Sequence, residues 1–124
     1  MLLRNLMLTN VVTATKDCTV KDCIELLHKR HVGSVIIVDE AQFCIGIFTE
    51  RDAIRVVVQN VPLDAEVEKV MTKNVFTINE NATLEEAKVV IHIHKIRHLP
   101  VTNSDGKLVG LLSVRHILDE LCGF

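Results

Sequence analysis

The sequence contains no Trp and no Tyr, and its four Phe make up an aromatic content of 3%. It therefore lacks the stacking platform that single-stranded nucleic acid needs, and any core must be aliphatic. Excess positive charge is also missing. Lys and Arg number 14 against 16 Asp and Glu, a formal net charge of -2. A chain balanced in this way offers no basic field to a phosphate backbone, so no nucleic-acid partner is expected. No apolar run approaches the roughly 20 residues of a membrane helix. The opening MLLRNLM is too short, and charged too soon, for a signal peptide. The expectation is a cytoplasmic protein with no membrane partner.

Cys18, Cys23, Cys44 and Cys122 form no Cys-x-x-Cys pair, and each stands in an apolar context. Buried free thiols are expected rather than disulfides or metal ligands, which suits a reducing compartment. The histidine-rich stretch at 92–98 does not read as a metal site either. His92 and His94 point about 200° apart on a helix, and Leu99 with Pro100 implies that the helix ends before His98. Walker loops and nucleophile–base arrangements are absent, so no catalytic residues are assigned and no enzyme is expected. His28 and His92 are expected to be structural.

What the chain does have is aliphatic mass, 48% hydrophobic over 124 residues, enough for one domain or two very small units sharing a core. A strand is expected at 10–15. Thr19 then reads as an N-cap, with Val20, Cys23, Ile24 and Leu27 on one helix face and the helix ending near His31, before Gly33. The apolar run 35–38 fits a strand covered on both faces. Another strand follows at 43–48 and a helical run at 53–58. Between the last two stand Thr49 and Asp52, a hydroxyl and a carboxylate three residues apart. That spacing is a capping box, and equally a place at a helix N-terminus where hydroxyl-rich or anionic ligands are favoured.

The same order recurs. Gly46 and Gly110 stand 64 residues apart, and at that shift Met7 falls on Met71, Thr13 on Thr77, Thr19 on Thr83, His28 on His92 and Arg51 on Arg115. The second copy has a capping box at Thr83/Glu86, with Leu84, Ala87, Ile91 and His94 on one face. It has strands at 99–101 and 108–112, and Pro100 is expected at a strand start or edge. Leu3, Leu6 and Met7 match Val67, Val70 and Met71 of a short helix capped by Asp64, so even the lead-in is duplicated. The expected architecture is α+β with α/β-like order: two β-α-β-β-α repeats, residues 1–60 and 61–124, about a pseudo-twofold axis and sharing one core.

These features resemble a tandem pair of cystathionine-β-synthase-type (CBS) domains, a Bateman module. The resemblance rests on the doubled order, on GIFTERD at 46–52, which matches the family's Gly-h-x-Thr/Ser-x-x-Asp signature (h is apolar), and on HLPV at 98–101. It implies a regulatory module that binds an adenosine nucleotide, AMP, ADP or ATP, in a cleft between the repeats and passes occupancy to an effector protein, with no required cofactor. S-Adenosylmethionine binding, or a ligand-free dimerisation module, are the alternatives. The resemblance also implies a homodimer, a four-CBS disc built through helices.

Carried over position by position, Asp52 holds the ribose hydroxyls and Thr49 lies near the ribose or phosphate, with Arg51 beside them. Thr13, Ala14, Gly33, Ser34 and Val35 line the base pocket. Arg30, His31, Lys95 and Arg97 reach the phosphate. The second copy reads GLLSVRH at 110–116, so His116 replaces the signature Asp. An imidazole cannot accept two hydroxyl bonds as a carboxylate does. A degenerate second site is therefore expected at Ser113, His116, Thr77 and His98.

Overall fold

The protein is described from a computed structural model covering residues 1–123. Residue 124, the end of the second repeat as read from sequence, lies outside the described residues. Thr19, Thr49 and Thr83 each close an extended segment and accept a bond from the amide three residues on. The side chain at that third position, Asp22, Asp52 or Glu86, accepts from the threonine's own amide in return. Each box satisfies two helix-end donors, and such a cap is worth about 0.5–2 kcal/mol. These boxes open α1 (Val20–Arg30), α2 (Glu50–Val58) and α3 (Leu84–His94). The fourth helix, α4 (Val114–Cys122), follows Ser113 with no side-chain cap. α1 and α3 stop alike, on His31 and Lys95 in the left-handed conformation, with φ of 53° and 52°.

The strands complete the doubled order: β1 (Thr13–Ala14), β2 (Ser34–Val38) and β3 (Cys44–Thr49), then β4 (Ile78–Asn79), β5 (His98–Thr102) and β6 (Leu108–Ser113). They form two three-stranded sheets, β1-β2-β3 and β4-β5-β6, each with one parallel and one antiparallel pairing. The class is α+β, as the repeat implies. Registers also repeat. Ser34 pairs with Thr49 and Ile37 with Gly46; His98 pairs with Ser113 and Val101 with Gly110.

The chain divides into two compact units whose boundaries differ from those of the repeats. One is Val12–Val75. The other combines Met1–Val11 with the residues from Phe76 onward. Each lead-in thus serves the other repeat. Glu66 bridges to Thr19 and Thr72 to Ile47 in the first unit, whereas Leu2 bridges to Thr83 and Leu8 to Leu111 in the second. Met71 packs on Gly46 and Met7 on Gly110, so close that an added Cβ would meet either sulfur at 2.4 Å. The exchange also divides the core. Val20, Cys23, Leu27, Val35, Phe48 and Val56 cluster with Val67, Val70 and Met71. Leu84, Ala87, Leu99, Val101 and Leu112 cluster with Leu3 and Leu6. Each unit has an apolar cluster of its own, because each repeat is completed by a borrowed apolar segment.

Other expectations need correction. β1 has only two residues. α2 begins at Glu50 because Thr49 itself is the cap. The helix expected after Asp64 is a 3-10 turn, Val67–Lys69, whose N-cap is Glu66 and makes no side-chain bond. Pro100 lies inside the central strand of its sheet, fully buried. It is tolerated there because only one bond is forgone: Ile36 N donates to the Val12 carbonyl at 3.0 Å, and Pro100, at the matching place, has no amide to repeat it. His94 is exposed and stacks on exposed Phe76, ring centroids 3.6 Å apart, rather than joining the core. His28 and His92 are exposed, as is Cys122; all four cysteines are free. Among the described residues, no helix is long and apolar enough to cross a membrane.

Candidate functional site

In the first unit, three hydroxyl residues share one face at one end of the sheet. Ser34 and Thr49 are cross-strand partners. Thr13 pairs with Ile36, two residues along β2 and so on the same face as Ser34. The Gly33 carbonyl accepts from Glu50 N at 3.1 Å, which fixes the start of α2 against the start of β2. Gly33, Ser34, Thr49, Arg51 and Asp52 are thereby gathered at one corner. Arg30 and His31, exposed at the end of α1, lie just upstream along the chain.

Asp52 is only 7% exposed. Its Oδ2 accepts from Thr49 N at 2.9 Å and from Thr49 Oγ1 at 3.2 Å. Its Oδ1 accepts from Arg55 Nη2 at 3.2 Å and from Thr72 Oγ1 at 3.4 Å. Arg55 also donates to the Val70 carbonyl at 2.5 Å, which ties the borrowed lead-in to α2. A carboxylate offers about four acceptor sites, and all are used. The structural reading of Thr49/Asp52 as a capping box is therefore realised. Two of the four donors are hydroxyls at the long end of the range, and hydroxyls rotate. A pair of ligand hydroxyls can replace them without breaking the amide bond or the Arg55 ion pair.

Ser34 is 3% exposed, and among the described residues its Oγ has no hydrogen-bond partner. A buried hydroxyl left unpaired costs about 1–3 kcal/mol, so such atoms call for a partner. Val35 and Ala14 point elsewhere: both side chains belong to the apolar cluster of the unit. Sequence reasoning missed Arg55 and Thr72. Their signal was present in the i, i+3 spacing of Asp52 and Arg55, but Thr72 is brought in only by the lead-in exchange.

The second unit keeps the frame with different chemistry. Val114 N donates to the Arg97 carbonyl at 3.0 Å, and His98 faces Ser113. Thr77 immediately precedes β4 at the same end of that sheet. Ser113 makes no capping bond, and no acidic residue stands in the first turn of α4. Lys95 and Arg97 belong to this unit, not to the one holding Asp52.

A family model for the CBS domain matches the chain twice, at residues 3–59 and 67–123. The chain is 31% identical to the uncharacterised 17.7 kDa protein in the bps2 3′ region of Acidianus ambivalens, over 91% of this chain and 68% of that protein. It is 34% identical to inosine-5′-monophosphate dehydrogenase of Aquifex aeolicus over 90% of this chain, but spans only 23% of the enzyme. Among solved structures, a CBS-domain containing protein of Agrobacterium tumefaciens superposes with a TM-score of 0.84 at 28% identity, covering 97% of this chain and 98% of that one. The fold is also that of the CBS domain pair of protein MJ0100, solved with 5′-methylthioadenosine and S-adenosyl-L-methionine (TM-score 0.90, 24% identity, 99% and 97% covered). It is likewise that of CBSX2, solved with AMP (TM-score 0.86, 21% identity, 98% and 96% covered).

Proposed function

We propose, for a chain that belongs to the CBS domain family and carries that domain twice, a regulatory role: it binds an adenosine nucleotide of the AMP, ADP or ATP class at the Thr13–Ser34–Thr49–Asp52 corner and passes occupancy to a partner protein. The observation that carries this reading is the buried Ser34 hydroxyl, unpaired among the described residues, on the same face as Thr13 and Thr49. A nucleoside supplies hydroxyls and ring nitrogens in the number these groups can use. The ribose hydroxyls exchange with those of Thr49 and Thr72 on Asp52 in charge-assisted bonds. Arg30 and Arg51 supply positive charge for phosphate, and His31 an imidazole N–H. The ligands in the structures of two proteins of the same fold, AMP and S-adenosyl-L-methionine, support an adenosine class. No catalytic role is assigned: the dehydrogenase similarity covers only a minor part of that enzyme.

The test is a thermal-shift panel with AMP, ADP, ATP and S-adenosylmethionine. A ligand at about 100 times its Kd adds about 2.7 kcal/mol to the folded state, so at least one should raise Tm by several degrees. Asp52→Asn should abolish that shift while the far-ultraviolet circular dichroism stays unchanged. Silence from all four ligands would reject the reading in favour of an assembly module. That second reading has its own observation: exposed Ile54, Val57 and Val58 on α2 match exposed Leu118, Leu121 and Cys122 on α4. A second copy of the chain is the proposed occupant of these faces.

A further inference from the structure

The chain enters α1 between two sulfurs. Thr19 caps the helix in an extended conformation, with φ of -78° and ψ of 160°. Cys18 is the residue before that cap, and Cys23 is the fourth residue of the helix. Those are the two positions whose side chains close over a helix start as a hydrophobic staple. Cys23 N donates to the Thr19 carbonyl at 3.2 Å, so the first turn is formed and Cys23 stands one turn above the cap. Its side chain is fully buried in the apolar cluster of the first unit, and half-buried Cys18 packs against that cluster. A charge at Cys18 is felt at Cys23. The second repeat staples the same place with Ala82 and Ala87. Sulfur is therefore not needed to fill the space, and the first repeat departs from its twin at both positions together. Cys18 also seats the borrowed lead-in: its carbonyl accepts from Val67 N at 2.7 Å.

We propose that Cys18 and Cys23 are a peroxide-responsive pair, oxidised to a disulfide across the entrance of α1. Cys18, the less buried of the two, reacts first. Its sulfur displaces hydroxide from hydrogen peroxide, and the hydroxide leaves with the thiol proton as water, giving Cys18 sulfenic acid. The Cys23 sulfur then attacks the Cys18 sulfur. The S–S bond forms, the S–O bond breaks, and the hydroxyl departs with the Cys23 proton as a second water. Two thiols lose two electrons, and one peroxide takes them up. Burial keeps Cys23 protonated and away from reagents, which suits a resolving thiol rather than an attacking one. A thiol reductant reverses the link by exchange. The covalent staple fixes the segment on which Val67 of the lead-in is seated. None of this depends on nucleotide binding at the Asp52 corner.

The test uses the full chain with Cys122→Ser, which removes the exposed thiol that could link two copies. It is treated with hydrogen peroxide at a dose that leaves its circular dichroism unchanged, blocked with iodoacetamide and digested with trypsin without reduction. Lys21 lies between the two sulfurs, so cleavage there leaves the peptides DCTVK and DCIELLHK joined by the proposed bond alone. The joined pair is expected as the main oxidised product, and dithiothreitol should release it. Cys23→Ala should instead leave sulfenic acid on Cys18, trapped by dimedone, and Cys18→Ala should leave Cys23 reduced. Both variants copy the alanines of the second repeat, and the digest of the parent chain decides even if either fails to fold. Sulfenic or sulfinic acid accumulating on Cys18 of the parent chain would show that the sulfurs do not meet, and would overturn the pair. So would two thiols that stay reduced, or a joined pair that forms only in urea.

Discussion

The Met71 thioether lies on the face of Gly46 where a side chain would otherwise project; a Cβ there would fall 2.4 Å from Sδ and 2.9 Å from Cγ. The signature glycine is thus a seat for a methionine from the next lead-in. Gly46→Ala should displace Met71 and cost about 1–3 kcal/mol by overpacking, read as a lowered urea midpoint. Gly110→Ala should cost more, because the added carbon also meets the Leu8 carbonyl oxygen at 3.0 Å, and backbone yields less than a flexible side chain. Met71→Ala combined with Gly46→Ala should fall short of the sum of the single effects. Additive costs would show that the two residues do not compete for space.

The capping boxes give opposite results in the two repeats. Thr49→Ala removes the acceptor for Asp52 N and should destabilise by about 1 kcal/mol. α4 has no such box, so His116→Asp should create one with Ser113 and stabilise by a similar amount. Calorimetry should show Tm moving by a few degrees in opposite directions. A lowered Tm for His116→Asp would mean that the imidazole has a packing role that the carboxylate cannot fill.

Burial pushes the Cys23 thiol up to about 12 from its ordinary 9.0, with charges at Cys18 and Asp22 adding to the effect. Burial raises Cys44 as well. The folded chain therefore keeps the Cys23 proton in a range where the unfolded chain has lost it. That contribution is fully present below pH 9 and declines as pH rises toward about 12. Urea midpoints stepped upward through this window should fall, and Cys23→Ala should fall less steeply. Parallel slopes would place the alkaline loss elsewhere. In native buffer a thiol reagent should modify exposed Cys122 first and Cys23 only on unfolding.

The apolar faces of α2 and α4 are the basis for the proposed dimer. Val57 is 68% exposed and Leu121 52%. Val57→Lys together with Leu121→Lys should convert a dimer to a monomer in sedimentation velocity without lowering the Tm of the monomer. A wild-type chain that sediments as a monomer at every concentration would remove the assembly reading.

Much of the fold was legible because local chemistry repeats. Each Thr-x-x-Asp/Glu box named a helix start, and uninterrupted apolar runs named β2 and β3. The left-handed stops at His31 and Lys95 were not legible, since neither is the glycine that usually announces one. The lead-in exchange was hidden for a different reason. At a shift of 64 residues, Met7 and Met71 are equivalent whichever glycine each one covers, so sequence symmetry cannot say which repeat a segment joins. The Asp52 corner was half visible. Thr49, Ser34 and Gly33 were named from the sequence, but Thr72 reaches the carboxylate only through that exchange. Val35 was assigned to the pocket although its side chain is part of the aliphatic cluster.

The crossed lead-ins impose an order on assembly. Residues 65–71 leave the ribosome soon after the repeat they complete, so the first unit can close early. Residues 1–11 are synthesised before either repeat, yet their berth exists only once the strands and helices from Phe76 onward have emerged. A segment made ahead of the first repeat is placed only after that repeat can already have closed. Leu3 and Leu6 must wait unsheltered while the first repeat and most of the second are made.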